Sequence, residues 1–288
     1  MLVRGDGDAA AAVAAARGAE AADPAAAVDL VLYREECAEG YPVNALRNAA
    51  LAAVATEKAL LLDVDFLPSR RARDVLERRR VGARDAVVVP AFESRAGAAP
   101  PVASKAGLRA AVDAGDAEPF HATRFGRGGY AAGHGPTDAR RWFAARETYE
   151  ARYAEGFEPY VLVRAATCPR FDARFRGYGL NKVQHAFALD ALGYRFVVEP
   201  DAWVVAGEHA ASRDWRAVYD PRAPGYDAAR RLKLQALYDT FKRETRRARR
   251  RRAAREPRKR RGDAALPAAA ALAATAGAVA LASRLLFA

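Results

Sequence analysis

The stretch Ala59-Leu-Leu-Leu-Asp63-Val-Asp65-Phe-Leu-Pro68 carries the clearest fold signal in this sequence. Its short continuous apolar run is typical of a strand that is buried on both faces. Asp63 and Asp65 follow where the strand leaves the core, and open α/β sheets bind ligands outside the carboxyl ends of their strands. Two carboxylates spaced i, i+2 along a strand point the same way. They repel each other unless a cation lies between them. Since Mg²⁺ and Mn²⁺ prefer oxygen ligands, the pair predicts a metal site that holds a diphosphate. The alternative is an ordinary turn at the end of a strand.

Composition sets limits on the class of protein. The chain has 288 residues, enough for one large domain or two small ones. Cys37 and Cys168 are far apart in sequence and have no zinc-site spacing, so they indicate at most one disulfide. The net charge is +12, but residues 242–263 hold 13 Lys and Arg against three Asp and Glu. The rest of the chain is therefore nearly neutral, and the basic run is typical of a solvated tail. Because no aromatic residues are interleaved in the run, nucleic-acid binding is the weaker interpretation.

The composition also predicts four segments. Residues 1–27 are rich in Ala and Gly and lack the apolar region of a signal peptide, so they predict a flexible or weakly helical lead. Residues 28–245 carry the strand and helix patterns of one α/β domain. Residues 246–263 predict a basic linker. Residues 264–288 are Ala-rich, and their charge-free part approaches the length of a membrane span. A membrane segment and a disordered or surface-lying tail both remain open for that part.

Polar side chains share one face of a predicted helix just before the acidic pair. The apolar spacing of residues 43–54 is helical, and Asn44, Arg47 and Asn48 then lie together at i, i+3 and i+4. Such a face is either simply solvated or lies beside the acidic pocket. In the second case, Arg47 would bind a nucleotide or phosphate.

Apolar patterns predict the other elements of the domain. Helices are expected at 70–80, 140–153, 181–192 and 219–245, and strands at 28–33, 85–93, 157–164 and 194–200.

Two later segments carry candidate ligand contacts. Gly177 and Gly179 flank Tyr178, which permits close approach of the backbone to a ligand. Asn181 and Lys182 then open a helix, whose amino terminus favours anions. Further along, His209 is either a third metal ligand or an ordinary surface histidine. His134, in a glycine-rich loop, favours a structural role.

Seven motifs in fixed order resemble one known family over about residues 28–245. The motifs are Tyr41-Pro-Val-Asn-x-Leu-Arg-Asn48, Asp63-Val-Asp-Phe-Leu-Pro68, Val89-Pro-Ala-Phe-Glu93, His134-Gly-Pro-Thr137, Phe157-Glu-Pro-Tyr160, Phe171-Asp-x-Arg-Phe-x-Gly-Tyr-Gly-x-Asn-Lys182 and His209-Ala-x-Ser212. This series is similar to the glucuronyltransferase domain of the LARGE-type glycosyltransferases and the related β-1,4-glucuronyltransferase, glycosyltransferase family 49.

The resemblance implies a GT-A fold, an α/β fold with a mainly parallel central sheet and flanking helices. It implies that Asp63, Asp65 and His209 hold Mn²⁺, with Mg²⁺ as the substitute. The implied reaction is inverting transfer of glucuronic acid from UDP-glucuronate to the hydroxyl of a xylose-like glycan acceptor. Another UDP-sugar on the same fold is the alternative, and a non-catalytic UDP-sugar-binding protein is a second one.

The resemblance also suggests roles for single residues. An inverting transfer needs a carboxylate base, for which Asp172 is the first candidate, followed by Glu158 and Glu93. Many inverting GT-A enzymes place an acid where this chain has Asn181 and Lys182. The residues expected to bind the donor are Asn44, Arg47, Asp63, Asn181 and Lys182. The family relation further implies a membrane-associated enzyme of the Golgi or secretory-pathway lumen.

Overall fold

Two β-sheets form the frame of the protein. The computed structural model describes residues 40–95, 97–122, 133–207, 212–255 and 280–282. The strands in chain order are β1 (Lys58–Leu61), β2 (Phe66–Pro68), β3 (Asp85–Val89), β4 (Ala91–Ser94), β5 (Ala117–Pro119), β6 (Tyr149–Ala151), β7 (Tyr160–Arg164), β8 (Arg195–Val198), β9 (Val204–Ala206) and β10 (Ala280–Ala282).

The larger sheet has six strands in the order β10-β1-β7-β3-β8-β6, and the smaller has four in the order β2-β9-β4-β5. β7 runs antiparallel to both of its neighbours, β1 and β3, whereas β3 and β8 are parallel. The α/β class is confirmed, but the sheet is mixed rather than mainly parallel. An apolar run predicts that a strand is buried, and it carries no information about the direction of that strand.

Seven helices are described around the sheets. They are α1 (Val43–Ala53), α2 (Ala72–Arg78), α3 (Lys105–Ala114), α4 (Ala139–Ala144), α5 (Val183–Ala191), α6 (Arg213–Tyr219) and α7 (Ala228–Arg255). Short 3₁₀ turns occur at Gly135–Thr137 and Ala165–Thr167.

The core lies on both faces of the larger sheet. In β3, Ala86 and Val88 join one apolar cluster, while Val87 and Val89 join the other. β7 alternates in the same way. Since successive side chains of a strand point to opposite faces, the central strands are buried on both sides, as their continuous apolar runs predicted.

One predicted helix is wrong over half of its length. The pattern of residues 140–153 favoured a helix, but α4 ends at Ala144 and β6 follows. In β6 the buried side chains of Tyr149 and Ala151 alternate with the exposed Glu150, which is the period of a strand. Pairing with β8 outweighs the helix propensity of the local sequence.

The carboxyl-terminal helix differs from its prediction at both ends. α6 ends at Tyr219, and α7 starts only at Ala228 and continues to Arg255, into the segment predicted as a linker. Most of the tail at 264–288 lies outside the described residues, as do the lead at 1–27, the strand predicted at 28–33 and Cys37. Within the described part of the chain, no helix has the length and apolarity needed to cross a membrane.

Candidate active site

Asp63 lies at the carboxyl end of β1, in a turn closed by a hydrogen bond from the Phe66 amide to the Asp63 carbonyl. Two cations contact its carboxylate. Arg47 Nη2 is 3.1 Å from Oδ1, and Lys182 Nζ is 2.8 Å from Oδ2. Burial would raise the pKa of Asp63, but the charges of Lys182 and Arg47 outweigh it and hold the pKa well below its usual range. About a third of the side chain is exposed, so the ionised carboxylate still faces outward.

The polar face of α1 connects Arg47 to the loop before α5. Arg47 Nη1 donates to the side-chain oxygens of Asn181, at 3.0 Å, and of Asn44, at 3.1 Å. Asn44 is fully buried, and its amide donates to the backbone oxygens of Asp172 and Asn181. The structure therefore brings together all five residues predicted to bind the donor.

Asp65 adjoins the segment that leads to the third predicted metal ligand. Its carbonyl accepts a hydrogen bond from the Gly207 amide, and Phe66 pairs with Ala206 where β2 meets β9. His209 itself lies outside the described residues. Within those residues, no group of three His, Cys, Asp or Glu side chains is arranged to hold a metal.

The donor set still fits a divalent ion that arrives with an anion. Asp63 and Asp65 present carboxylate oxygens from one turn, which suits Mn²⁺ or Mg²⁺. The charges of Arg47 and Lys182 beside that turn would oppose a cation on its own. A diphosphate bound at the same place would offset both the ion and the two side chains.

Tyr160 is a member of this cluster that the sequence reasoning missed. Its hydroxyl donates to Asp63 Oδ2 at 2.9 Å and accepts from Lys182 Nζ at 2.9 Å. The ring is buried, and burial together with the charges of Asp63 and Asp65 raises the pKa of Tyr160 well above its usual range. The available signal was its place at the start of the predicted strand 157–164, since β7 begins at Tyr160 and pairs with β1, the strand that precedes Asp63.

The candidate bases differ in their surroundings. Partial burial raises the pKa of Glu158. The charge of Lys182 lowers that pKa and the charge of Asp63 raises it. The backbone amide of Glu158 donates a hydrogen bond to the carbonyl oxygen of Gly133. Glu158 therefore lies within the field of the Asp63 cluster. Glu93, on β4, accepts a hydrogen bond from the His121 amide.

Asp172 has a different set of partners. Its carboxylate accepts from the Arg174 guanidinium, at 2.6 Å from Nη2, and from the Arg174 amide. Arg174 also contacts Glu244 on α7 at 2.6 Å. The Asp172 side chain is thus part of an ion-pair chain that connects its loop to α7.

His134 is buried next to Tyr160, with ring centroids 5.8 Å apart. Burial, aided by the charge of Lys182, lowers its pKa well below the usual range. The imidazole is therefore neutral at physiological pH.

A mixed α/β fold with two carboxylates in the turn after β1, one of them contacted by cations from α1 and from the loop before α5, is compatible with a glycosyltransferase domain of the GT-A type.

Comparison with known proteins identifies the family. The family described as "Glycosyl-transferase for dystroglycan" matches residues 13–220, well over half of the chain. The xylosyl- and glucuronyltransferase LARGE2 of Homo sapiens is 40% identical over 223 residues, which cover 75% of this chain and 29% of that protein. LARGE2 of Rattus norvegicus is 41% identical over 191 residues, covering 64% and 26%. LARGE1 of Danio rerio is 38% identical over 189 residues, covering 64% and 24%.

The chain belongs to this glycosyltransferase family, as its motifs predicted. It spans less than a third of the length of the relatives it matches.

Proposed function

We propose that this chain is a Mn²⁺-dependent inverting glycosyltransferase that transfers glucuronic acid from UDP-glucuronate to a hydroxyl of a xylose-like glycan acceptor, with Mg²⁺ as the alternative ion. The observation that carries the proposal is the Asp63 carboxylate at the end of β1, contacted by both Arg47 and Lys182. Such a site gains most from a ligand that brings a divalent cation and a diphosphate together.

The donor would be bound by opposite charges on two sides. Asp63, Asp65 and His209 are the residues that would hold the metal, which when bound offsets the charge developing on the departing diphosphate. Arg47 and Lys182 bind the phosphates or the donor carboxylate, because both are cations already directed at this turn. Asn181, which accepts from Arg47, keeps that guanidinium oriented.

Glu158 is the carboxylate whose surroundings best support the role of base. The base must take the proton of the acceptor hydroxyl as that oxygen attacks the sugar carbon and UDP leaves. A pKa raised by partial burial makes Glu158 a stronger base at neutral pH. Asp172 is the other candidate, but its oxygens accept from the Arg174 guanidinium, which weakens a base.

The names of the relatives suggest a second candidate donor. LARGE1 and LARGE2 are named as xylosyl- and glucuronyltransferases, so UDP-xylose is the first alternative donor. A protein that binds UDP-sugars without turnover is the other alternative. The resemblance further suggests a membrane-associated enzyme of the Golgi or secretory-pathway lumen.

The deciding experiment is UDP release by the full chain. UDP-glucuronate and UDP-xylose would each be supplied with Mn²⁺ and a panel of methyl glycosides, with and without EDTA. We expect UDP to be released only when UDP-glucuronate, the metal ion and a xyloside are all present. This release should be lost in Asp65→Asn. Release only from UDP-xylose would change the donor assignment. UDP binding without release from any donor would support the non-catalytic alternative.

A further inference from the structure

Three partly exposed aromatic side chains form a cluster next to the candidate site. Tyr178, in the loop before α5, is 6.0 Å from Tyr219 between ring centroids, at an interplanar angle of 81°. Tyr219 in turn is 6.0 Å from Trp215, one turn earlier on α6. The side chain of Tyr178 is 37% exposed, and those of Trp215 and Tyr219 are half-buried. These three residues are called the aromatic platform below.

Close packing fixes the platform against the loop that carries the donor-binding side chains. A Cβ added at Gly179 would lie 2.7 Å from Tyr219 Oη, and Gly179 has a φ of +107°, which side chains rarely adopt. Tyr219 therefore lies directly on the backbone two residues before Asn181. Arg231 of α7 covers the Tyr219 ring, at 5.8 Å from its centroid.

The platform also lies within electrostatic range of the proposed base. Tyr219 is close enough to Glu158 for the Glu158 charge to add to burial in raising the Tyr219 pKa. The charges of Lys182 and Asp63 act on Glu158 as well. Glu158 thus lies within electrostatic range of both the charged subsite and the aromatic one.

The two subsites suit different halves of a transfer reaction. The cations at Asp63 favour an anionic donor. Aromatic faces carry a negative quadrupole, which attracts the polarised C–H groups on one face of a pyranose. Specific pockets commonly combine such apolar walls with a few polar groups that orient the ligand.

We propose that the aromatic platform is the acceptor subsite, where Tyr178 and Trp215 stack on an uncharged pyranose and hold one of its hydroxyls towards Glu158. This assignment rests on the proposed transferase function, which it extends to the acceptor. It implies that a charged sugar binds this surface less well than a neutral one.

Steady-state kinetics test the platform. In Tyr178→Ala, the KM for a methyl xyloside should rise about tenfold, a loss of about 1.4 kcal/mol, because one stacking face is removed. The KM for the nucleotide sugar should stay within twofold, and Tyr178→Phe should restore the acceptor KM. Leu232→Ala is the matched control, since Leu232 is an apolar residue of α7 that is 72% exposed. An unchanged acceptor KM in Tyr178→Ala would overturn the assignment.

Tryptophan fluorescence gives a test that needs no turnover. Trp142 and Trp203 are buried, so Trp215 is the tryptophan that a sugar at the platform would contact. Methyl β-xyloside, titrated in the presence of UDP and Mn²⁺, should shift the emission saturably in the wild type. The shift should disappear in Trp215→Phe and weaken in Tyr178→Ala. Binding without transfer would reject the proposed function and retain the platform. Transfer without any fluorescence change would reject the platform alone.

Discussion

At the scale of single residues, the site is decided by how Asp63 is surrounded. Burial alone would raise the pKa of this carboxylate, but Lys182 and Arg47 outweigh that effect and keep it ionised to unusually low pH. The same contacts connect three distant parts of the chain, since Arg47 lies on α1 and Lys182 precedes α5. Anything that shifts one of the two cations changes how the carboxylate is presented to a metal and its diphosphate.

Substitution of Tyr160 by phenylalanine tests this arrangement, because it removes a single oxygen atom. Tyr160→Phe removes the hydroxyl between Asp63 and Lys182, and hydrogen bonds to charged groups contribute about 1.5–3 kcal/mol. We expect the Mn²⁺-dependent affinity for UDP to fall by about tenfold or more. Calorimetric titration would measure it. Tyr149→Phe is the control, because that hydroxyl bonds Thr137 O in the core, so its loss should lower stability without affecting UDP affinity. Equal affinity of Tyr160→Phe and wild type would contradict the assigned contact.

Glu158 should set the acidic limb of the pH profile. Partial burial raises its pKa, so the active, ionised form is lost as the pH falls through that raised value. We expect kcat/KM to rise with pH up to an apparent pKa above the usual 4.3 of glutamate. Glu158→Gln should lose at least about a hundredfold in kcat, the usual contribution of a general base, and still bind UDP. If Asp172→Asn shows the larger loss instead, the base is Asp172.

At the scale of the element, α5 combines burial with an unusual titratable group. Nearly every residue of this helix is buried, including His185, which stacks on Phe171 at 3.8 Å between centroids. Its Nε2 lies 3.0 Å from the carbonyl of Pro169, which fixes the ring in the core. Burial lowers the pKa of His185 to about 4, and the charge of Arg47 acts in the same direction.

This histidine should make the fold sensitive to acid. In the unfolded chain a histidine binds its proton near pH 6.5, whereas native His185 binds it only near pH 4. The unfolded state therefore holds more protons in between, and the free energy of unfolding falls as the pH drops through that window, by up to about 3 kcal/mol. Urea unfolding at pH 7.5 and 5 should show a smaller decrease in His185→Gln than in wild type. His121→Gln, at a turn outside the core, should keep the full decrease.

The sequence predicted some elements well because their signal is local. The strand β1 and the helix α1 were found from short apolar patterns, and the alternating burial of β3 and β7 confirms the expected two-sided core. Residues 145–153 were assigned to the wrong class because the partner strand β8, not the local pattern, decides their conformation. The antiparallel direction of β7 could not be predicted either, because it depends on pairing with the distant strands β1 and β3.

At the scale of the whole molecule, the site depends on contacts between segments far apart in sequence. The motifs predicted that Arg47, Asp63 and Lys182 bind the donor. In the structure, both cations contact the Asp63 carboxylate. Tyr160, Trp215 and Tyr219 were missed because a tyrosine or tryptophan at a strand or helix position usually signals core packing. Tyr178 was noted only as the aromatic residue between two glycines of a ligand-binding loop. Their relation to the site appears only when β7, α6 and the loop before α5 meet.

The long helix α7 holds that loop in place. Leu234 packs on Gly179, and the guanidinium of Arg230 lies so close to Gly177 that a Cβ there would collide with Nη2. Further along, Tyr238 is 2% exposed and contacts Phe175 and Phe187. This small apolar cluster is separate from the two clusters around the sheet.

Removing the centre of that cluster should therefore affect both stability and the site. Tyr238→Ala should lower the free energy of unfolding by about 3–5 kcal/mol, as for other large-to-small core changes. Leu232→Ala, on the exposed side of the same helix, should change it by no more than about 0.5 kcal/mol. Urea unfolding gives both values. Because α7 packs on the loop that precedes Lys182, Tyr238→Ala should also weaken UDP binding at temperatures where the variant remains folded. Full UDP affinity together with the expected loss of stability would mean that Asp63, Arg47 and Lys182 hold their geometry without support from α7.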